Sequence, residues 1–358
     1  MYTDLSKLCI NQDTTIDGAV KCLDLSRLGI VLVVDGQRRL IGTITDGDIR
    51  RAILAHIDFS QPVSLLLARK ANSAFAKPIA TAADVKPETW LRLLQQHSIV
   101  HLPLLDENER VVGLVTRDDF LPGEPLPLRA VVMAGGAGRR LQPLTDETPK
   151  PMLPVGDRPM MEIILERLRT SGIRRVNVTV HHQAEKITRH FGNGNEFGVE
   201  LNYVAEDRPL GTAGALGLME KPQETLLVIN GDILTQVDFR AMLAYHQESK
   251  ADLTVAVSRL DLQVPYGVVE CEGSAVRQLT EKPTFGFFVN AGIYLIEPSA
   301  HGYIPNGRRF DMTELIQLLI DEGRSVVSFP IREYWLDIGS HDDYLRAQET
   351  AKTWKQSP

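Results

Sequence analysis

Ala134-Gly-Gly-Ala-Gly-Arg-Arg-Leu-Gln-Pro-Leu-Thr145, with Pro149-Lys-Pro-Met-Leu-Pro154 close behind it, is the stretch whose reading decides the fold. It begins where the apolar run Ala130-Val-Val-Met133 stops. Gly135, Gly136 and Gly138 carry no Cβ, so successive backbone N–H groups can approach one anion closely. Arg139, Arg140 and Lys150 follow within about fifteen residues. A strand, a glycine-rich turn and clustered cations together suit a polyphosphate. Two familiar alternatives do not fit. Leu141 stands where the dinucleotide fingerprint needs a third glycine, and no Gly-Lys-Ser/Thr follows, as a P-loop requires. The missing glycine and the Pro149-Lys-Pro151 segment also weigh against a nicotinamide-dependent oxidoreductase.

Outward from this loop the pattern alternates. Strand candidates are Ala130–Met133, Val176–Val180, Leu201–Val204, Leu226–Ile229 and Leu253–Val257. Helix candidates between them are Pro159–Thr170, Ala184–His190, Thr212–Glu220 and Phe239–Glu248. This order predicts a Rossmann-like α/β domain over 129–358, with a mixed, mostly parallel sheet. Ligands on such sheets bind beyond the carboxyl ends of the strands. The glycine-rich loop and Asn230-Gly-Asp232 both fall at such ends and are expected to meet.

Upstream, Leu121-Pro-Gly-Glu-Pro-Leu-Pro-Leu128 is proline-rich, and residues 122–128 read as a semi-rigid linker. The residues before it, 1–121, repeat weakly, in halves of about 1–58 and 63–121. Leu40-Ile-Gly-Thr-Ile-Thr-Asp-Gly-Asp-Ile49 matches Val111-Val-Gly-Leu-Val-Thr-Arg-Asp-Asp-Phe120. Each copy is an apolar strand followed by Thr-x-x-Asp opening a helix. A second apolar strand precedes each, Ile30–Asp35 and His101–Asp106.

Bulk properties bound the function. The chain has 358 residues, 43% hydrophobic and 24% charged, as expected of a soluble two-domain protein. A formal net charge of −7 argues against broad nucleic-acid binding. No apolar run approaches a membrane span, and the N-terminus lacks the apolar core of a signal peptide. Cys9, Cys22 and Cys271 have neither metal-ligand spacing nor a disulfide pattern, so a reducing, cytoplasmic setting is expected.

The repeat resembles a pair of CBS motifs, an α/β Bateman module. That resemblance implies that Thr45 and Asp48, then Thr116 and Asp119, contact the ribose of an adenine nucleotide, and that the pair senses this ligand or promotes homo-oligomerisation. The same Thr-x-x-Asp pattern also caps a helix start, which leaves a structural role equally open.

The long signature around Gly135 resembles that of sugar-1-phosphate nucleotidyltransferases, Gly-Gly-x-Gly-x-Arg-Leu-x-Pro-Leu-Thr with a downstream Pro-Lys-Pro. The likeness runs over essentially all of 129–345. It implies a nucleoside triphosphate on Gly135, Gly136 and Gly138, with Gly211 and Thr212 of Leu210-Gly-Thr-Ala-Gly214 and Gly231 completing the nucleotide site. It implies Mg²⁺ on Asp232 and Asp337. Arg140 would clamp the β/γ-phosphates, and Lys150 would neutralise charge near the α-phosphate. Gly267, Glu281, Lys282 and Asn290 would hold the sugar phosphate. The base loop looks like that of mannose-1-phosphate guanylyltransferases, so GTP is the expected substrate. Uridylyl, thymidylyl, cytidylyl and adenylyl transfer remain alternatives. A CBS pair ahead of such a domain is similar to the layout of guanylyltransferases of the legionaminic acid branch, which points to glucosamine-1-phosphate. Mannose-1-phosphate and heptose-1-phosphate stay open. The product would be a nucleotide-sugar for surface-glycan synthesis. A rival reading is a non-catalytic nucleotide sensor, disfavoured because Arg140, Lys150 and Asp232 are all present. Whether Glu206 touches the base is open. His181-His182 reads as a polar loop without a third ligand, and His97 and His101 read as packing.

Overall fold

A computed structural model of the chain describes residues 1–71, 76–97, 99–120 and 125–354, with Asp118 described by its backbone alone. Leu121 and residues 122–124 of the expected linker lie outside the described residues. The chain divides into two compact units, Met1–Glu124 and Pro125–Pro358. No helix among the described residues is long and apolar enough to cross a membrane.

In the first unit the sequence repeat becomes a structural one. Cys9–Asn11, Ile30–Val34 and Leu40–Thr45 form one three-stranded sheet, and Thr81–Ala82, His101–Leu105 and Val111–Thr116 form another. In both, the first strand pairs in parallel and the last antiparallel. The register also repeats: Ile30 faces Thr45 as His101 faces Thr116, with a bulge at Val33/Val34 and again at Leu104/Leu105. Leu5, Leu8, Ile30, Leu32 and Val34 of the first half share a core with Val111 and Leu114 of the second.

Three details depart from the sequence reading. Thr45 opens a helix, Asp46–Leu54, but Thr116 opens only the 3-10 turn Arg117–Asp119. Residues 63–70, assigned to the second half, pack on the first: Val63 and Leu66 lie in its core, and Val63 N–H donates to Thr14 O at 2.8 Å. The last linker residues belong to the second unit. Leu126 N–H donates to Gly172 O at 3.0 Å, and Leu128 starts a strand.

The second unit is built on a seven-stranded sheet. Its order is Glu200–Ala205, Arg175–Val180, Leu128–Met133, Thr225–Asn230, Thr284–Ile296, Leu253–Gln263, Val326–Pro330. All neighbours run parallel except Thr284–Ile296, which is antiparallel to both of its partners. The sheet is therefore mixed and mostly parallel. Leu128–Met133 lies in its interior with both faces covered, which is why it reads as an unbroken apolar run. Helix Met160–Thr170 buries Met161, Ile164, Leu165 and Leu168, one stripe at helical spacing, against this sheet.

The predicted helix Thr212–Glu220 is instead two short pieces, Gly211–Gly214 and the 3-10 segment Ala215–Leu218. The cause is tertiary. Ala213 and Gly214 N–H both donate to Phe310 O, at 3.0 and 2.8 Å. A Cβ at Gly217 would come within 2.6 Å of Pro305 O. The Phe310 carbonyl thus satisfies donors that a first helical turn leaves free, and the Pro305 backbone presses into the segment at Gly217, where the regular helix gives way.

Candidate active site

The glycine-rich loop leaves the carboxyl end of Leu128–Met133 and turns at Gly138, whose φ of 63° suits glycine. A Cβ at Gly138 would meet Thr145 Cγ2 at 2.8 Å and Lys150 Cβ at 3.1 Å. Buried Thr145 donates its hydroxyl to Gly138 O at 2.9 Å, which ties the loop to the Pro149-Lys150-Pro151 segment. On the adjacent strand end, Gly231 N–H donates to Met133 O at 2.9 Å, and a Cβ there would lie 2.7 Å from that oxygen. Only glycine lets Asp232 sit this close to the loop.

Asp232 and Asp337 are brought together by a small antiparallel ladder. Ile233–Thr235 pairs with Trp335–Asp337, and Ile338 N–H donates to Asp232 O at 3.0 Å. Lys150 Nζ donates to Asp232 Oδ2 at 2.6 Å. The Arg140 guanidinium lies over Gly339, where a Cβ would approach Nη1 to 3.3 Å. Burial raises the Asp337 carboxyl above its usual range, and Asp232 adds to this while Lys150 and Arg140 oppose it. Asp337 Oδ1 is buried without a hydrogen-bond partner among the described residues.

That orphaned oxygen tests the site's fit for a cation. A buried carboxylate oxygen without a donor is costly unless something positive completes it. Mg²⁺ is commonly held by one or two carboxylates plus substrate phosphates, not by an all-protein cage. The Asp232–Asp337 pair fits that pattern, and among the described residues no group of three potential ligands is found.

The loop Leu210-Gly-Thr-Ala-Gly214 approaches the glycine-rich loop through Glu206, the residue the sequence left undecided. Glu206 is buried; its Oε2 accepts from Leu210 N–H at 2.9 Å, and its Oε1 lies so close to Gly135 that a Cβ there would come within 2.5 Å. Burial pushes its carboxyl up, against the Leu210 N–H and His181. His181 Nδ1 sits 2.9 Å from Glu206 O, a loop contact and not a metal site. Gly211, at φ 83°, packs on Asp311 Oδ1, which accepts from Thr212 N–H at 3.0 Å; Thr212 Oγ1 in turn accepts from Met312 N–H at 2.8 Å. Asp311 was missed by sequence reasoning. The signal was present: Asp311 and Glu314 form a capping box ahead of helix Met312–Asp321.

The sugar-phosphate candidates separate into two places. Asn290 Oδ1 accepts from Gly292 N–H at 3.0 Å, and Gly292 packs on Asn230, next to Gly231 and Asp232. Gly267, Glu281 and Lys282 stand on an exposed ribbon, where a Cβ at Gly267 would meet Glu281 Oε2 at 3.0 Å and Lys282 N–H donates to Tyr266 O at 3.2 Å.

In the first unit, Thr45 and Asp48 form a reciprocal capping box, as do Thr116 and Asp119. Asp48 Oδ2 accepts from Thr45 N–H, Thr45 Oγ1 and Lys70 Nζ at 2.9, 3.1 and 2.8 Å, and its Oδ1 accepts from Arg51 at 2.7 Å. Asp119 accepts from Thr116 N–H and Oγ1 at 2.7 and 3.1 Å, and from the Met1 amino group at 2.5 Å.

A glycine-rich loop, a lysine and two carboxylates at the ends of a mostly parallel sheet define a nucleotide-handling class of α/β protein. Residues 129–353 match the nucleotidyl transferase family, and the chain belongs to it. Residues 4–55 and 76–122 match the CBS domain. A UTP–glucose-1-phosphate uridylyltransferase of Synechocystis sp. is 32% identical over 241 residues, 62% of this chain and 62% of that protein. A mannose-1-phosphate guanylyltransferase of Mycobacterium tuberculosis is 32% identical, over 61% of this chain and 62% of its own length. A D-glycero-alpha-D-manno-heptose 1-phosphate guanylyltransferase of Aneurinibacillus thermoaerophilus is also 32% identical, over 62% and 97%. The chain thus spans about three fifths of the first two relatives. Among solved structures, a candidate glucose-1-phosphate thymidylyltransferase from Bacillus anthracis superposes with a TM-score of 0.52 at 27% identity, covering 63% of this chain and 95% of that one.

Proposed function

We propose that the second unit condenses a nucleoside triphosphate with a sugar-1-phosphate, releasing pyrophosphate and forming a nucleotide-sugar. The observation that carries this reading is the cluster of Lys150, Asp232 and Asp337 against the glycine-rich loop, with one carboxylate oxygen left open. In the reaction a sugar-phosphate oxygen bonds to the α-phosphorus while the bond from that phosphorus to the pyrophosphate oxygen breaks. Both reactants are anions, so catalysis is chiefly positioning and charge neutralisation. Asp232 and Asp337 would hold Mg²⁺, which supplies charge neutralisation and a template for in-line displacement when bound. Arg140 supplies a planar fork for the outer phosphates. Lys150, paired with Asp232 here, is within reach of the same centre and would share its charge with the α-phosphate. The loop backbone at Gly135, Gly136 and Gly138 offers donors.

GTP is the triphosphate we favour, and Glu206 supports it. A carboxylate beside the base loop can accept both guanine N1–H and N2–H, whereas uracil and thymine flank one donor with two carbonyl oxygens that a carboxylate repels. Two of the relatives named above are guanylyltransferases. The test is pyrophosphate release from GTP, UTP, dTTP, CTP and ATP against glucosamine-, mannose- and heptose-1-phosphates. GTP should be preferred, Glu206→Gln should erode that preference by at least about tenfold, and silence with every pair would reject the reaction. For the first unit we propose adenine-nucleotide binding at the second repeat before the first. Asp48 accepts four hydrogen bonds, two of them from Lys70 and Arg51, against three at Asp119. Titration with AMP or ATP should be weakened more by Asp119→Asn than by Asp48→Asn; no binding at millimolar nucleotide would leave these residues a structural role.

A further inference from the structure

An open cavity of about 600 Å³ lies beside the segment that leads into Lys150. Glu147-Thr-Pro149 and Met152 form one side of it, and helix Ala184–Phe191 forms the other. None of the residues assigned above to the triphosphate, the cation or the sugar phosphate lines it. The helix packs through Ile187 and Phe191, which are buried one turn apart. Lys186, Arg189 and His190 are left on its exposed side, facing the cavity.

These cations are not accounted for by the helix itself. Lys186 stands in the first turn, where the helix dipole disfavours positive charge. Arg189 repeats the charge three residues on, a spacing at which like charges oppose each other. Among the described residues neither forms an ion pair. Lys186 Nζ donates to the backbone oxygen of Glu147, which leaves the rest of its donors unspent, and the Arg189 guanidinium spends none. The His190 ring is held edge-on to Phe191, with centroids 4.6 Å apart, and neither of its nitrogens has a hydrogen bond among the described residues.

The unspent donors define the ligand. A planar guanidinium beside an ammonium suits a phosphate group, which offers several acceptor oxygens at once. The cavity is of a size that takes a small organic ligand, so a bare phosphate would leave much of it to water. The remaining lining suits a hydroxylated carbon body. The Glu147 carboxylate repels a second anion but accepts from hydroxyl groups, and Pro149 and Met152 offer apolar contact. The segment that would feel such a ligand is tied at both ends. Thr145 holds Gly138 O, and Lys150 holds Asp232. Between them only Gln183 Nε2 to Asp146 O, at 3.3 Å, and Lys186 to Glu147 O join it to the helix among the described side chains.

We propose that this cavity binds a small phosphate monoester with a hydroxylated body, apart from the reacting centre, and that its occupation stiffens residues 146–152. The phosphate would bridge Lys186 and Arg189 to the Thr148 hydroxyl and so add a tie between helix and segment. Glucose 6-phosphate is the probe, because its phosphate is not on the anomeric carbon and it is no acceptor in the proposed transfer. Calorimetric titration of the full chain should give a Kd at or below about 1 mM, at least about fivefold tighter than for inorganic phosphate. Lys186→Gln/Arg189→Gln should weaken binding about tenfold or more, whereas Arg140→Gln/Lys282→Gln should leave it within about twofold. Hydrogen exchange across 146–152 should slow at saturating probe in the wild type and not in Lys186→Gln/Arg189→Gln. Should that double variant melt early, Arg189→Gln alone changes one exposed side chain and carries the same test. Equal affinity for the ester and for inorganic phosphate supports the phosphate contacts, names free phosphate as the occupant and overturns the hydroxylated body. No binding of either at about 10 mM, or binding lost with Arg140 and Lys282 but kept without Lys186 and Arg189, overturns the site. Binding with unchanged exchange overturns the stiffening. No readout here needs turnover, so failure of the transfer reaction would leave the result intact.

Discussion

Asp48 and Asp337 are both partly or fully buried carboxylates at or just past a strand end, and the two units treat them in opposite ways. Burial disfavours the charge on each. For Asp48, Lys70 and Arg51 outweigh burial and hold the carboxyl below its usual range. For Asp337, Asp232 reinforces burial and the carboxyl lies above it. Asp48 accepts four hydrogen bonds from its own chain, whereas Asp337 leaves one oxygen without a donor. The difference separates a carboxylate used to close a fold from one with an oxygen left open, where we propose a cation. Residue type and motif do not distinguish them; saturation of their lone pairs does.

The largest effect should come from removing either carboxylate of the proposed cation pair. Asp232→Ala and Asp337→Asn should each lower kcat/KM for pyrophosphate release about a thousandfold, close to 4 kcal/mol of transition-state stabilisation. Asp337→Asn removes one of two neighbouring like charges, so without metal the variant should melt at or above the wild type, and Mg²⁺ should raise the melting point of the wild type alone. A variant that melts lower and keeps its activity would erase the distinction from Asp48. Next, Asp48→Asn should destabilise the first unit by about 3 kcal/mol, because Lys70 loses its buried partner. Hydrogen exchange of helix Asp46–Leu54 would register it. The pH dependence follows in sign. With the folded carboxyl below its ordinary value of 3.8, the stabilisation is present above that value and lost as pH falls below it. Exchange protection in this helix should therefore collapse in acid, and Asp48→Asn should flatten the response. A smaller effect is expected for Gly135→Ala, whose methyl would displace Glu206. KM for GTP should rise about tenfold, as steady-state kinetics would measure. Smallest is Thr45→Ala, which removes a helix cap worth about 1 kcal/mol, read by the same exchange experiment.

Much of this was legible in the sequence, for physical reasons that differ by region. Arg175–Val180 and Thr225–Asn230 are interior strands whose apolar runs announce them within a residue at each end, and the edge strand Glu200–Ala205 was placed as closely. Helix Phe239–Glu248 begins and ends as predicted because Asp238 caps it, its side chain accepting from Arg240 and Ala241 N–H. The loop residues and Asp232 could be placed because glycines and charges next to a strand end leave few alternatives. What stayed hidden depends on partners distant in the chain. The interrupted helix at Thr212 packs against Phe310 and Pro305, and Arg140 against Gly339. The strand's run past Val257 to Gln263 was missed although Leu260 and Leu262 alternate with polar residues, because both lie exposed, outside the core that marks the rest of the strand. The capping boxes at Thr45 and Thr116 were legible as a pattern, but Lys70, far along the chain from Asp48, was not.

The ladder that joins Ile233–Thr235 to Trp335–Asp337 also bears on how the molecule is made. It closes a loop of roughly one hundred residues, at an entropic cost of about 4 kcal/mol, for three residue pairs. Contacts of such sequence separation form late. During synthesis the glycine loop, Lys150 and Asp232 emerge well before Asp337, so the nascent chain can assemble most of its central sheet while still lacking half of its acidic pair. The acidic pair becomes complete only when the last strand arrives, so closing this ladder is the step that finishes the centre.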